Sequence, residues 1–422
     1  MEPKFIIGLI IFLVSFYYII NEKIPGVWVT LFGGSLMVMT GVITREQGTQ
    51  AIGDNLPIIL LLLAMMIIVN IISETGFFQW VAFKVAIAVQ MEPIKLLIVF
   101  GVITGILSAF LDNVTTVLLV IPVIIVITKE LEIPPKPYIL IAIICSNIGG
   151  AATLIGDPPN LIISNGGNLS FNSFLIHAAP LAIINMVVVV GFFVAIYRKK
   201  LIVSKELREK MLNINVSDAI KDKVLLKKSL IVIGIVIVSF IFESIQQKGL
   251  ENVALLGALY LAIRLKKTPY DVFVEIEWEM IFFLIGLFIL IRGIEELRIL
   301  ENLSKMLVRY SNGNIKIVSV IILWISNIST LFIGSISHAV TFSPLVGGLE
   351  KHFNDKNLWW ALSYGTCYGG IGTIVASACN LVGIKLAKKF EVNISSKEYL
   401  KFGLLAMLLC GVMSTVYIVL IN

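Results

Sequence analysis

The chain has 422 residues, of which 58% are hydrophobic and only 14% charged, with a formal net charge of +6. Ordinary soluble domains run at about 45–50% apolar and about 25% charged, so a mean hydropathy of +0.97 excludes a surface wetted mainly by water. The basic residues are scattered in short loops, with no basic face of the kind a nucleic-acid partner requires.

In chain order, residues 5–20 form a first apolar run with no small-residue cleavage site after Ile20, and we read them as a retained span rather than a signal peptide. Runs 24–44 and 402–422 have the length of simple spans, and 55–73 is slightly shorter. Residues 96–128 carry a single charge, Asp112, followed by Asn113. A straight helix of that length would overshoot a bilayer by about 15–20 Å. Two half-depth helices meeting at Asp112-Asn113 fit better. The stretch 137–197 is uncharged except for Asp157, inside Gly156-Asp157-Pro158-Pro159-Asn160, where two prolines and a glycine predict a broken helix. Residues 198–228 are the one long polar segment and read as a solvated cytoplasmic linker. Runs 317–349 and 357–384 contain no Asp, Glu, Lys or Arg.

The linker divides the chain into two copies of one plan. Gly149-Gly150-x2-Thr153-x6-Asn160-Leu161 returns as Gly369-Gly370-x2-Thr373-x6-Asn380-Leu381, an offset of 220 residues. Asp112-Asn113-x8-Pro122 aligns with Gly334-Ser335-x8-Pro344 at an offset of 222. The expected fold is an all-α polytopic membrane protein: residues 1–197 a first five-span half, 198–228 a cytoplasmic linker, 229–422 a second half. Each half has a re-entrant hairpin and a broken helix, and an odd number of crossings per half makes an inverted repeat. With the linker inside, 23 of the 33 basic residues fall on the cytoplasmic side.

Irregular backbone at membrane depth survives only against protein or a watery cavity, and an ionisable residue there marks function. Asp112 and Asp157 are therefore candidates for binding a coupling cation. They could also be helix caps. Asn160 and Asn380 recur at equivalent places and are candidate ligands; Gly149, Gly150, Gly369 and Gly370 equally fit close helix packing. His338 lies near the second turn and reads as a hydrogen-bonded packing residue, with a proton relay as the alternative. Cys145, Cys367, Cys379 and Cys410 sit in apolar stretches and read as packing residues. Enzyme signatures are lacking: Leu154 stands where an intramembrane aspartyl protease motif needs Gly, and no His-Glu-x-x-His, Walker loop or Gly-x-Ser-x-Gly occurs. A pure channel would not need two inverted interruptions with acidic tips. Paired interruptions in inverted halves point to the binding site of a secondary transporter.

Ser108-Ala109-Phe110-Leu111-Asp112-Asn113-Val114-Thr115-Thr116 with Ile121-Pro122, and Asn147 through Asn160, resemble the hairpin and break motifs of the ion transporter superfamily. That superfamily includes arsenite permeases, citrate and dicarboxylate/sodium symporters and the melanocyte P protein, and the Gly-Asp-Pro-Pro-Asn form is nearest the arsenite permease and P protein branch. The resemblance implies scaffold and transport domains, a homodimer in the lipid bilayer of the cell membrane, and elevator-like transport of a small inorganic or organic anion. It implies a coupling Na+ or H+ and no other cofactor. Carried onto this sequence, it implies substrate contacts at Asn113, Val114, Thr115, Asn160, Ser335, Ser337, Thr373 and Asn380. It puts the coupling cation at Asp112, Asn113, Gly156, Asp157 and Asn160. The second copy keeps Asn380 but has Ser377 for the Asp and no prolines, and Gly334-Ser335 at the tip. A sodium/proton antiporter and an arsenite efflux permease with a partner ATPase are the alternatives, and an intramembrane hydrolase stands last.

Overall fold

The computed structural model describes residues 3–21, 23–201, 203–212, 219–242, 249–297, 299–311 and 313–421. Linker residues 202 and 213–218 lie outside that set. The described chain is helical, with no strand. Seven of its helices are long and apolar enough to cross a membrane.

The first half runs α1 (Pro3–Asn21), α2 (Gly26–Met39), α3 (Arg45–Asp54), α4 (Leu56–Glu74), α5 (Phe77–Ala88), α6 (Pro93–Ser108), α7 (Asn113–Glu130), α8 (Lys136–Gly150), α9 (Pro158–Gly167) and α10 (Phe171–Tyr197). After the linker helix α11 (Lys205–Leu212) a like succession follows. It comprises α12 (Lys223–Ile241), α13 (Leu250–Arg264), α14 (Pro269–Phe273), α15 (Trp278–Glu296), α16 (Ile299–Tyr310), α17 (Ile315–Ile333), α18 (Ser335–Phe353), α19 (Asn357–Gly369), α20 (Ala378–Lys389) and α21 (Ser396–Ile421).

Local chemistry sets these boundaries. Residues 96–128 turn at 109–112, where Asp112 caps α7 by accepting from the Thr115 N–H at 2.8 Å. The second hairpin turns more tightly: Gly334 alone separates α17 from α18, at φ +78°, a conformation that suits glycine. Asn168 and Asn354, both left-handed, end α9 and α18. Pro158 and Pro159 play a different part from the one their sequence suggests. They open α9 in its first turn, where their missing N–H groups would be unpaired anyway, and the unwound stretch is 151–157. Its counterpart, 370–377, unwinds without any proline.

Packing sorts the helices into two bodies. In one, α2 lies against α15, α4 against α13, and α12 against both α4 and α13. In the other, α6 packs on α8 and α17 on α19, while α7 crosses to α20 and α18 to α9. The second arm of each hairpin therefore rests on the far half-helix of the opposite copy. The bodies meet through the short helices α5 and α16 and through contacts such as α4 with α9 and α15 with α18.

Loop contacts also fall into two groups. Lys267 pairs with Glu74 at 2.6 Å, Lys136 with Glu398 at 3.0 Å, and Arg208 donates to the Gln90 carbonyl at 3.0 Å. The other group joins Asn165 to Asn55 at 3.4 Å, Lys356 to the Asn168 carbonyl at 3.3 Å, and Asn172 to the Ile241 carbonyl at 2.7 Å. The base of the first hairpin belongs with the first group and that of the second hairpin with the second. The linker is less solvated than its charge suggests. Leu201 and Met211 are buried, and the Lys221 N–H bonds the Thr75 carbonyl at 2.9 Å.

Gly149 is a packing residue. A Cβ there would lie 2.0 Å from the Gly105 carbonyl oxygen and 2.5 Å from its carbon. Gly149→Ala must therefore part α6 from α8, at a cost of about 1–3 kcal/mol or more. Gly191→Ala on α10, where nothing lies within 4 Å, is the control. Thermal unfolding in detergent should show a lowered midpoint for the first variant and an unchanged one for the second.

Candidate functional site

At the first break, Asn160 holds the unwound strand from inside the protein. Its Nδ2 donates to the Thr153 carbonyl at 3.0 Å and, at longer range, to those of Gly150 and Ala151 at 3.4 and 3.5 Å. Its Oδ1 accepts from the other copy: Ser363 Oγ at 2.8 Å and Cys367 Sγ at 3.3 Å, both on α19. The side chain is fully buried. Carbonyls freed by the break would otherwise be orphaned in an apolar interior, at about 1–3 kcal/mol each.

The second break uses the same device. Asn380 Nδ2 donates to the Gly370 and Thr373 carbonyls, both at 2.7 Å, and its Oδ1 accepts from Asn147 Nδ2 on α8 at 2.9 Å. Thr153 and Thr373 complete the parallel. Thr153 Oγ1 donates to the Ala109 carbonyl and accepts from the Gly156 N–H; Thr373 Oγ1 donates to the Leu331 carbonyl at 2.9 Å and accepts from the Ala376 N–H at 3.1 Å. Each threonine ties its break to the end of the first arm of its own hairpin. At the second tip, the Ser335 N–H reaches the Ala376 carbonyl at 2.9 Å.

The copies differ where the charge lies. Asp157 precedes α9, buried, but its carboxylate makes no capping bond; Oδ1 accepts instead from Asn113 Nδ2 at 3.2 Å, beside the Cys367 thiol. Ser377 takes the equivalent place with similar backbone angles and no charge. Asp112, by contrast, is a helix cap, half-buried at the tip.

The candidate residues separate into two kinds. Asn113, Asp157 and Asn160 gather at one break, and Ser335, Thr373 and Asn380 at the other, with Ser337 buried one turn into α18. The two breaks are joined through α8 and α19. Asn160, Asn380 and Thr373 are engaged by protein partners at both ends of their polar groups, so they position the site. Val114 and Thr115 open α7, with the Thr115 N–H spent on Asp112. Gly156 allows close approach: a Cβ there would meet the Ser108 carbonyl oxygen at 2.6 Å. Sequence reading missed Asn147, Ser363 and the thiols of Cys367 and Cys379, which contact the paired asparagines rather than merely fill space. The signal available was a polar stripe at i, i+3 and i+4 on an otherwise apolar helix: Ser363, Thr366, Cys367. Together the side chains offer a buried carboxylate, amide and hydroxyl groups and half-helix N-termini, a set able to bind a small cation beside an anion.

A cleft of about 1230 Å³ lies to one side, between the bodies. It is lined by Asp54, Arg292 and Glu295 from one and by Asn165, Ser343 and Trp359 from the other. Its basic and acidic side chains are mixed, and Arg292 is paired with Glu295 and Glu296.

Residues 16–365 of the chain match the family described as citrate transporter, CitMHS. The chain is 32% identical to a 46 kDa membrane protein of Mycobacterium leprae over 98% of both chains. It is 27% identical to the human P protein, with 81% of this chain matching 51% of that one. In fold it is similar to the YdaH transporter of Alcanivorax borkumensis, with a TM-score of 0.61 at 13% identity, covering 89% of this chain and 88% of the other.

Positioning and charged groups should respond differently to substitution. Asn380→Asp replaces a double donor with a carboxylate facing two carbonyls, and should lower stability by at least about 1–3 kcal/mol. Asp157→Asn removes no cap, and Asn113 can turn its amide to keep one bond, so its unfolding midpoint in detergent should stay near wild type.

Proposed function

The chain belongs to the citrate transporter family and is a membrane transporter; from that premise we propose that it moves a small anion or oxyanion across the cell membrane by secondary active transport coupled to Na+ or protons. Its two halves form an inverted repeat, and the body holding both hairpins and both breaks slides against the other in an elevator-like cycle. The protein works as a homodimer. Citrate, from the family description, is the first substrate to try, and arsenite is the second.

The observation that carries this reading is the paired breaks, each bridged by an asparagine and anchored from the other half, with a buried carboxylate, Asp157, held by Asn113 rather than by a helix terminus. A bare carboxylate so far from water is costly, and a bound proton or sodium ion relieves that cost. The cation then screens the cavity so that an anion can approach the half-helix N-termini. No Lys or Arg lies at either tip or break, so the anion's charge is met by that cation and by neutral donors. Sliding is supported by the thin joint between the bodies and the cleft that separates them. The two groups of loop contacts support an inverted arrangement, since the hairpins are then rooted at opposite membrane faces.

Two measurements test this. In proteoliposomes, labelled citrate and arsenite should accumulate under an imposed Na+ or pH gradient, and Asp157→Asn should cut gradient-driven accumulation roughly tenfold or more while leaving substrate exchange. Full accumulation by that variant would remove Asp157 from the coupling site. A Lys210→Cys variant, in the linker at a side chain 72% exposed, should escape membrane-impermeant maleimide applied to intact cells; labelling from outside would reverse the orientation.

A further inference from the structure

The second hairpin carries a group that none of the roles above uses. His338 lies one turn into α18, fully buried, with its ring stacked on Phe342 at 4.1 Å between centroids. Its Nδ1 is 2.9 Å from Thr366 Oγ1 on α19, and its Nε2, also buried, has no partner among the described residues. The aligned position in the first copy is Thr116, whose hydroxyl donates to the Asp112 carbonyl at 2.9 Å. An imidazole therefore occurs only at the tip that lacks an aspartate.

Hydrogen-bond counting fixes the tautomer. If Nδ1 carried the proton and donated to Thr366, the Thr366 hydroxyl hydrogen and Nε2 would both go unpaired, because that hydroxyl has no other partner among the described residues. If Thr366 donates to Nδ1, only one group remains open, the Nε2–H. The second arrangement leaves fewer buried groups unmet and is the favoured one. It presents a neutral donor, which suits an oxygen acceptor and repels a cation. Thr366 shares one stripe of α19 with Ser363 and Cys367, the two residues that hold Asn160. The imidazole thus packs against the same face of α19 that holds the first break.

We propose that His338 is a substrate-binding residue, donating through Nε2–H to an oxygen of the transported anion. The inference rests on the transport reading above and deepens it: the ligand must offer an oxygen acceptor, as a carboxylate or an oxyanion does.

The test uses the full-length protein in detergent with citrate, inorganic phosphate and arsenite as probes, carrying forward whichever the wild type binds most tightly. His338→Phe keeps a flat ring without the donor and should weaken binding about ten- to hundredfold. His338→Gln returns an N–H donor near the same position and should recover affinity to within about fivefold of wild type. If the Phe variant binds as tightly as wild type, or the Gln variant as weakly as the Phe variant, the histidine is a packing residue and the proposal is wrong. If the wild type binds none of the three, the transport reading fails and takes the proposal with it. Histidine ¹⁵N spectra of the wild type give an answer without any variant, since the chain has only three histidines. The His338 signals should show a protonated Nε2 that shifts when the anion is added. A proton on Nδ1, or no shift at saturation, overturns the proposal.

Discussion

Everything in the body of the hairpins and breaks depends on satisfying backbone groups where helices break away from water. An α-helix meets its own hydrogen bonds, but an unwound stretch in an apolar interior does not, and each open carbonyl costs about 1–3 kcal/mol. Asn160 and Asn380 answer for the carbonyls ten and seven residues before them. An amide suits this task because it donates twice from one end and accepts at the other. The accepting ends turn to the opposite half, to Ser363 and Cys367 in one case and Asn147 in the other. A break stabilised in this way cannot shift alone, because its lock is seated in the other copy.

That reciprocity makes the hairpins and breaks one mechanical unit. The second arms repeat the exchange on a larger scale, α7 crossing to α20 and α18 to α9. Any large rearrangement is cheaper at the joint with the other body, which runs through short helices and borders an open cleft, than within the unit itself. The close approach of α6 and α8 at Gly105 and Gly149 points the same way, since packing so tight leaves no room for sliding.

Much of this was legible in the sequence for a physical reason: the breaks must recur at fixed spacing if one device serves both. The glycine pairs, the threonines and the asparagines gave the repeat, and the lone aspartates in apolar runs gave the charged tip and break. What escaped was whatever depends on a partner distant in sequence. Asn147 and Asn380 are 233 residues apart, and no periodicity connects them. Cys367 and Cys379 resembled ordinary apolar filling because a thiol's hydrogen bonding is weak and leaves no pattern. The prolines misled in a different way. They looked like the cause of the break, yet they begin the helix after it, and the second copy unwinds over the same stretch with none.

The two copies share their locks and differ in their charges, and the coupling proposed above rests on that asymmetry. The first copy puts a carboxylate at its break, where the second has Ser377; the second puts an imidazole beyond its tip, where the first has Thr116. Were both breaks acidic, an anion entering between them would meet two repelling carboxylates, and a single cation would leave one of them bare. With one acidic break, the proposed single monovalent cation would neutralise the carboxylate, and its departure would restore the full repulsion. In the proposed cycle the anion's affinity therefore rises when the cation binds, and by linkage the cation's rises equally when the anion binds. In that cycle the unit holding the anion without the cation is the state with the most uncompensated charge. That state crosses a low-dielectric region at the highest cost, so the anion moves with its cation rather than alone.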